Sequence, residues 1–208
     1  DGYKAFYVAI GCQGGKIPNV VGSDAEGVTT AVDFLKVANC GGYAVKGKTI
    51  VVGGGNVAID AARVSVRSGA KEVAMYCLET RDVMPASNEE IREAQEDGVA
   101  INCGWGPKEV VVENGKAVAV VFKKCLSVFD ENNKFNPVYD EKETQTVSCD
   151  NVIFAVGQTT VWGDLLKGSK VEFGRGNRPV ADTLTYQTAE EDIFVGGDVY
   201  TGPKFAID

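Results

Sequence analysis

The sequence contains no histidine among its 208 residues. Histidine triads, histidine metal sites and imidazole general bases are therefore excluded together. Any chemistry must use another side chain or a cofactor. Cysteine occurs six times but never as C-x-x-C, and the closest two in sequence, Cys103 and Cys125, are widely spaced. A redox dithiol motif, a zinc knuckle and a clustered iron–sulfur run are thus not encoded. Several of these cysteines sit in apolar, strand-like segments, as buried thiols do, which suits a reducing cytoplasm. No apolar run approaches the roughly 18 residues of a membrane span, and no secretory signal is expected. Basic residues are in deficit, 21 against 29 acidic, for a formal net charge of -8. That balance argues against nucleic acid and anionic membranes as partners.

The remaining composition, 44% hydrophobic and 24% charged, is that of a globular protein. Its most informative stretch is Ile50-Val51-Val52-Gly53-Gly54-Gly55-Asn56-Val57-Ala58-Ile59-Asp60-Ala61-Ala62-Arg63. It predicts a short buried strand, a glycine turn and the start of a helix. Gly53, Gly55 and Ala58 fit G-x-G-x-x-G/A. The first glycine permits a tight reversal, the second lets backbone approach a pyrophosphate, and the small third residue lets the helix pack on the strand. The helix N-terminus then presents free N–H groups and a positive dipole end to phosphates. The helix runs from Asn56 to about Ser68, and Gly69 stops it. A second strand, Glu72–Cys77, is followed by Glu79. Glu79 lies about 20 residues beyond Ala58, the spacing of the acid that holds the ribose 2′-OH of NAD. Strand, turn, helix, strand and acid in this order predict a mononucleotide-binding βαβ unit. The plainer alternative is a βα turn that happens to be rich in glycine.

Around this unit, residues 4–10 are expected to form a buried strand, and Val28 to about Ala38 a short helix. Ser87-Asn88-Glu89-Glu90 fits a capping box opening a helix from Glu89 to Asp97 that Gly98 ends, with a strand over 99–103. The Glu-rich stretch 89–97 reads as a solvated helix face rather than paired catalytic carboxylates. Asn114-Gly115 between apolar alternations predicts a hairpin. A polar turn at 130–134 and a returning strand at 144–148 extend it to an antiparallel meander over 108–149. A further parallel strand, Asn151–Val156, precedes Gly157-Gln158. Beyond 159 the pattern loosens, with a turn at 174–178 and a strand at 193–195 leading into Gly196-Gly197-Asp198. The chain lacks an initiator Met, and 202–208 reads as a helix starting and then cut, so an excised piece of a longer protein is expected. Gly42 to Thr49 matches the P-loop formula G-x-x-x-x-G-K-T, but it precedes a strand instead of opening a helix, which reverses the context a P-loop needs.

Five segments in order carry a family resemblance: Ala9-Ile10-Gly11; the run from Gly53 to Arg63; Arg81 with Met84-Pro85-Ala86; Ala155-Val156-Gly157-Gln158; and Gly196 to Pro203. Together they resemble the glutamate synthase small (beta) subunit and its relatives, the flavin-dependent NAD(P)H oxidoreductases of the pyridine nucleotide-disulfide oxidoreductase superfamily. The resemblance runs nearly end to end. It implies an α/β, Rossmann-like, three-layer nucleotide-binding domain with a parallel sheet and an inserted antiparallel β-meander, plus connecting segments to a missing FAD domain. The division expected is 1–41 as connection and linker helix, 42–158 as NAD(P)-binding domain with the meander at 108–149, and 159–208 as the return to the FAD domain.

Under this reading Gly53, Gly54, Gly55, Asn56, Val57 and Ala58 hold the pyrophosphate, and Glu79 and Arg81 meet the adenosine ribose. Gly157 and Gln158 lie near the nicotinamide. Gly197 and Asp198 match the family segment whose aspartate contacts FAD. The family commonly has two arginines where this chain has Leu78-Glu79. A carboxylate there repels a 2′-phosphate and accepts from a free 2′-OH, which favours NADH over NADPH. The expected function is transfer of hydride from NAD(P)H to FAD by a parent protein, with this piece binding dinucleotide but not turning over alone. Expected partners are the parent's FAD domain, an iron–sulfur domain or a large subunit; the expected compartment is the cytoplasm. The alternative is a non-catalytic Rossmann module that senses NAD(H) or docks to a partner.

Overall fold

The computed structural model describes residues 2–41 and 44–204. The start of the P-loop-like formula, Gly42-Tyr43, and the end of the segment read as a cut helix lie outside the described residues. In chain order the strands are β1 (Phe6–Val8), β2 (Gly14–Gly15), β3 (Val28–Thr30), β4 (Lys48–Val52), β5 (Glu72–Cys77), β6 (Ala100–Cys103), β7 (Trp105–Glu113), β8 (Lys116–Phe129), β9 (Phe135–Ser148), β10 (Asn151–Phe154), β11 (Gln158–Thr159) and β12 (Ile193–Val195). The helices are α1 (Ala31–Asn39), α2 (Asn56–Arg67), α3 (Asn88–Glu96) and α4 (Asp198–Thr201), with a single 3-10 turn at Arg81–Val83. The chain forms two compact units, one of residues 15–156 and one of residues 1–14 with 157–208.

Within the unit 15–156, five parallel strands form a sheet in the order β3-β10-β4-β5-β6. Strands buried on both faces read as continuous apolar runs, and β4 and β10 do so. Val51, Met75 and Ile153 point to the side covered by α1, α2 and α3, packing on Phe34, Ala58, Ile59, Ala62 and Ile91. Their neighbours Ile50, Val52, Tyr76, Val152 and Phe154 point to the other side, against Val110, Val120 and Phe122 of a three-stranded antiparallel sheet, β7-β8-β9. Tyr76 stacks on Phe122 with ring centroids 4.0 Å apart. The result is the expected α/β fold in three layers: helices, parallel sheet, antiparallel sheet. The meander turns at Asn114-Gly115, both at positive φ (51° and 82°), as a type I′ hairpin requires. Asp130 Oδ1 accepts from the backbone N–H of Asn132 and Lys134 and closes the second turn.

The helix stops follow from sequence. After α2, Gly69 N–H donates to the Val66 carbonyl and Ala70 N–H to that of Ser65; after α3, Gly98 and Val99 donate to Gln95 and Ala94. Both are Schellman closures. Arg63 of α2 clamps α3, pairing with Glu93 and, at 2.8 Å, with Asp97. The Arg63 guanidinium holds the Asp97 carboxyl below its ordinary range.

Three expectations change. The helix expected from Val28 begins at Ala31, because β-branched Val28, Thr29 and Thr30 pair with Val152–Phe154 as β3. Thr30 caps the helix instead, accepting from Asp33 N–H at 3.2 Å. The strand expected over 4–10 is only Phe6–Val8. It pairs with β12 in a two-stranded ribbon, and Phe6 and Tyr7, on opposite faces, are both exposed. The strand expected to run to Val156 ends at Phe154, where β4 gives way to its glycine turn.

The capping box at Ser87 is half made. Ser87 Oγ accepts from Glu90 N–H at 3.2 Å, but Ser87 N–H donates to Asn56 Oδ1 at 3.0 Å. Glu90 therefore has no return bond, and its Oε2 is buried without a partner among the described residues. Burial, and then the negative charges of Asp60 and Glu93, push the Glu90 carboxyl above its ordinary range, with Arg63 opposing. The folded state thus binds this proton more tightly than the unfolded chain. Its stabilising contribution is complete below the ordinary carboxylate range and is lost as pH rises through the raised value. Thermal unfolding of Glu90→Gln should therefore lose less stability than the unsubstituted chain as pH rises from about 4 to about 8; an equal change in both would refute this account.

Candidate functional site

The glycine turn stands at the carboxyl end of β4. There β5 and β6 extend the sheet to one side and β10 and β3 to the other. This reversal of strand order opens a crevice where α/β proteins take ligands. Gly53 has φ +146°, and a Cβ on it would stand 2.5 Å from the Ala155 carbonyl oxygen. Only glycine lets the two strand ends come this close. A Cβ on Gly54 would meet Glu79 Oε2 at 2.9 Å and Cys77 Cβ at 3.0 Å. Gly55 is different: nothing lies within 4 Å of the position of its missing Cβ. It is also the N-cap of α2, without a capping side chain, and the first turn of the helix carries no acidic residue. The leading amides of a helix have no intrahelical acceptor, although Ala58 N–H is taken by the Gly55 carbonyl at 2.9 Å. Ala58 is fully buried against the core.

A strap holds this turn in shape. Ala86 N–H donates to the Gly54 carbonyl at 3.0 Å, and Asn56 Oδ1 receives the Ser87 N–H. The Met84-Pro85-Ala86 segment thus fixes the turn from outside, and Pro85 lines the cleft beside it.

The cleft, of about 600 Å³, is formed wholly by residues of the unit 15–156. Its floor is Val52, Gly53, Gly54, Gly55, Ala155 and Val156, and Glu79 and Leu78 stand at one side. The opposite wall comes from the meander: Trp105, Pro107, Lys123, Phe135, Pro137 and Tyr139. Lys123 pairs with Glu141 at 2.6 Å and sits 4.1 Å over the Tyr139 ring. Its ammonium holds the Glu141 carboxyl below the ordinary range. Burial pushes the Tyr139 hydroxyl above its ordinary value.

Of the residues expected to bind a cofactor, Gly53, Gly54, Gly55 and Glu79 come together in this cleft, with Asn56, Val57 and Ala58 opening α2 beside it. Arg81 does not line it; it begins the 3-10 turn and is exposed. Gly157, Gln158, Gly197 and Asp198 belong to the other unit. There Gln158 Nε2 donates to the Cys12 carbonyl at 3.4 Å. Gly197, at φ 63°, precedes α4, and the Asp198 carbonyl faces the Cys12 thiol at 3.5 Å. The aromatic wall was not anticipated. Its sequence signal is the spacing Phe135-x-Pro137-x-Tyr139 and Trp105-x-Pro107, which places each set on one face of a strand.

Comparison with known proteins places the family and the fold. The family model for pyridine nucleotide-disulphide oxidoreductases matches residues 1–208. The chain therefore belongs to the pyridine nucleotide-disulphide oxidoreductase family. It is 32% identical over 212 residues to the NADP(+)-dependent formate dehydrogenase subunit beta of Moorella thermoacetica, covering 99% of this chain and 30% of that one. It is 29% identical to the glutamate synthase [NADPH] small chain of Halomonas elongata, covering 99% and 46%. It is 30% identical to the NAD-dependent dihydropyrimidine dehydrogenase subunit PreT of Escherichia coli O157:H7, covering 98% and 43%. The chain thus spans less than half the length of these curated relatives. Among solved structures, Mycobacterium tuberculosis FprA in complex with NADPH superposes with a TM-score of 0.79 at 16% identity, over 99% of this chain and 60% of that one. T. acidophilum thioredoxin reductase does so at 0.72 and 21%, over 98% and 59%. Both share the fold. Among the described residues, no helix is long and apolar enough to cross a membrane.

The two glycines should respond differently to substitution. Gly53→Ala forces a methyl group onto the Ala155 carbonyl at a positive φ and should destabilise the chain by more than about 1 kcal/mol. Gly55→Ala points into open space and should change stability by no more than about 0.5 kcal/mol. Chemical denaturation of both variants checks the contrast, and equal losses would refute it.

Proposed function

We propose that the unit 15–156 binds a nicotinamide dinucleotide across the carboxyl ends of its parallel strands. The observation that carries this reading is the open Gly55 turn, with the bare start of α2 behind it. The pyrophosphate lies on the amides of Gly54 to Val57, where backbone N–H groups and the helix dipole both favour an anion. Ala58 keeps the helix near the strand. The adenosine ribose reaches towards Glu79, whose carboxylate stands over Gly54, with Arg81 further along the same segment. The nicotinamide end runs towards Ala155 and Val156.

A dinucleotide held by Gly54 to Val57 would be oriented by this unit in the parent protein, and an FAD bound there would supply the hydride-accepting chemistry. Gly197-Asp198 is read as the flavin-contacting segment. The chain needs no side-chain acid or base for this transfer, which accords with the absence of histidine. The expected division into a connecting segment (1–41), an NAD(P)-binding domain (42–158) and a return segment (159–208) belongs to the same reading. So do the partners, which are the parent's FAD domain and an iron–sulfur domain or large subunit. The names of the relatives support partners of this kind, since three are called subunits or chains of larger enzymes. A non-catalytic module that senses NAD(H) is the rival reading. The absorbance spectrum of the full-length parent separates them, because a colourless parent would favour the sensor.

The dinucleotide of choice is proposed to be NADH. Five names among these relatives specify NADP(H) and one NAD, so the preference for NADH rests on Glu79 alone. A carboxylate accepts hydrogen bonds from a free 2′-OH and repels a 2′-phosphate. Titration of this chain with NADH and NADPH should show tighter NADH binding. Glu79→Arg should shift the preference towards NADPH by about tenfold or more, the equivalent of about 1.4 kcal/mol. Equal or tighter NADPH binding by the parent chain would remove the argument. Gly55→Ala should weaken both dinucleotides while stability holds; unchanged affinity would move the pyrophosphate elsewhere.

A further inference from the structure

Cys77 closes β5 and Cys103 closes β6, and the parallel register sets them directly opposite each other. Their Sγ atoms are 3.7 Å apart. Met84, delivered by the strap over the glycine turn, places its Sδ 3.7 Å from Cys103 Sγ. Cys103 Sγ thus stands between two other sulfurs from two separate segments, 3.7 Å from each. Cys77 and Met84 are buried and Cys103 is half-buried. Cys77 also lines the cleft, which gives an ion a path inward. Among the described residues, no group of three or more His, Cys, Asp or Glu side chains is placed to hold a metal. The donor set here is therefore sulfur only, which selects soft ions over hard or borderline ones.

We propose that Cys77, Cys103 and Met84 form a binding site for a soft monovalent cation of the Cu(I) class, held by two thiolates and one thioether. A metal–sulfur bond of about 2.3 Å spans a 3.7 Å S···S separation at an S–metal–S angle of about 107°, close to the tetrahedral angle. The strand register supplies this spacing before any ion arrives. Binding is ligand exchange without electron transfer. Two S–H bonds break, two protons pass to water, two Cu–S bonds form, the thioether lends a lone pair, and copper remains Cu(I). Without an ion Cys77 rests as a thiol. Burial, and then Cys103 and Glu79, hold the Cys77 thiol well above its ordinary range.

The test is an anaerobic titration with Cu(I) alone against a colorimetric chelator. The chain carries Cys12→Ser and Cys40→Ser, which remove the other two thiols that are not fully buried. The expected result is one Cu(I) per chain. That stoichiometry should persist in Cys125→Ala and disappear in Cys77→Ala and in Cys103→Ala. Met84→Leu should weaken it by about tenfold. Cys103→Ala alters a half-buried position, so it decides the matter even if Cys77→Ala fails to fold. Copper left wholly on the chelator, binding undiminished in Cys103→Ala, or binding lost in Cys125→Ala would overturn the proposal.

Discussion

The backbone of Gly53 passes against the carbonyl of Ala155, and the arrangement of the unit 15–156 follows from that approach. The two residues end neighbouring parallel strands, β4 and β10, on either side of the point where strand order reverses. A side chain at Gly53 would wedge the strand ends apart and tilt α2 away from the sheet. With glycine there, Ala58, Ile59 and Ala62 seat on Val51 and Met75, and the N-terminus of α2 faces the crevice. The burial of β4 and β10 on both faces keeps the strand ends from shifting, since each apolar side chain is held by a layer above or below.

The same few atoms serve structure and site at once. Asn56 opens α2 and also accepts the Ser87 amide, so the Met84–Ser87 strap is tied to the glycine turn. That bond takes the donor a complete capping box would have given to Glu90, whose carboxylate is left partly buried and short of partners. The strap also carries Met84 to the sulfur cluster and Pro85 to the cleft. Local irregularity beside the site thus has an identifiable cause: one side chain is used to shape the turn rather than to finish a helix cap.

Charge around the cleft is uneven. Glu79 stands over the glycine turn, while Lys123 reaches the cleft from the meander, partly neutralised by Glu141 and spread over the Tyr139 ring. The cleft is anionic on the β5 side and cationic and aromatic on the β8–β9 side. Family membership does not decide between the two nicotinamide cofactors, because relatives of similar identity carry names of both kinds.

The glycine turn, the α2 and α3 stops, the Asn-Gly hairpin and the place of Glu79 were legible in the sequence, because each rests on interactions within a few residues. A positive φ, a Schellman closure or an i-to-i+3 cap leaves its mark in the local residue types. The start of α1 was misplaced because Val28–Thr30 gains more by pairing with β10, a partner distant in sequence, than by joining a helix. The aromatic wall, the strap and the meeting of Cys77, Cys103 and Met84 were decided by tertiary structure alone. Those contacts join segments whose separation along the chain carries no periodic signal, and they form only once the strands are in register and both faces of the sheet are covered.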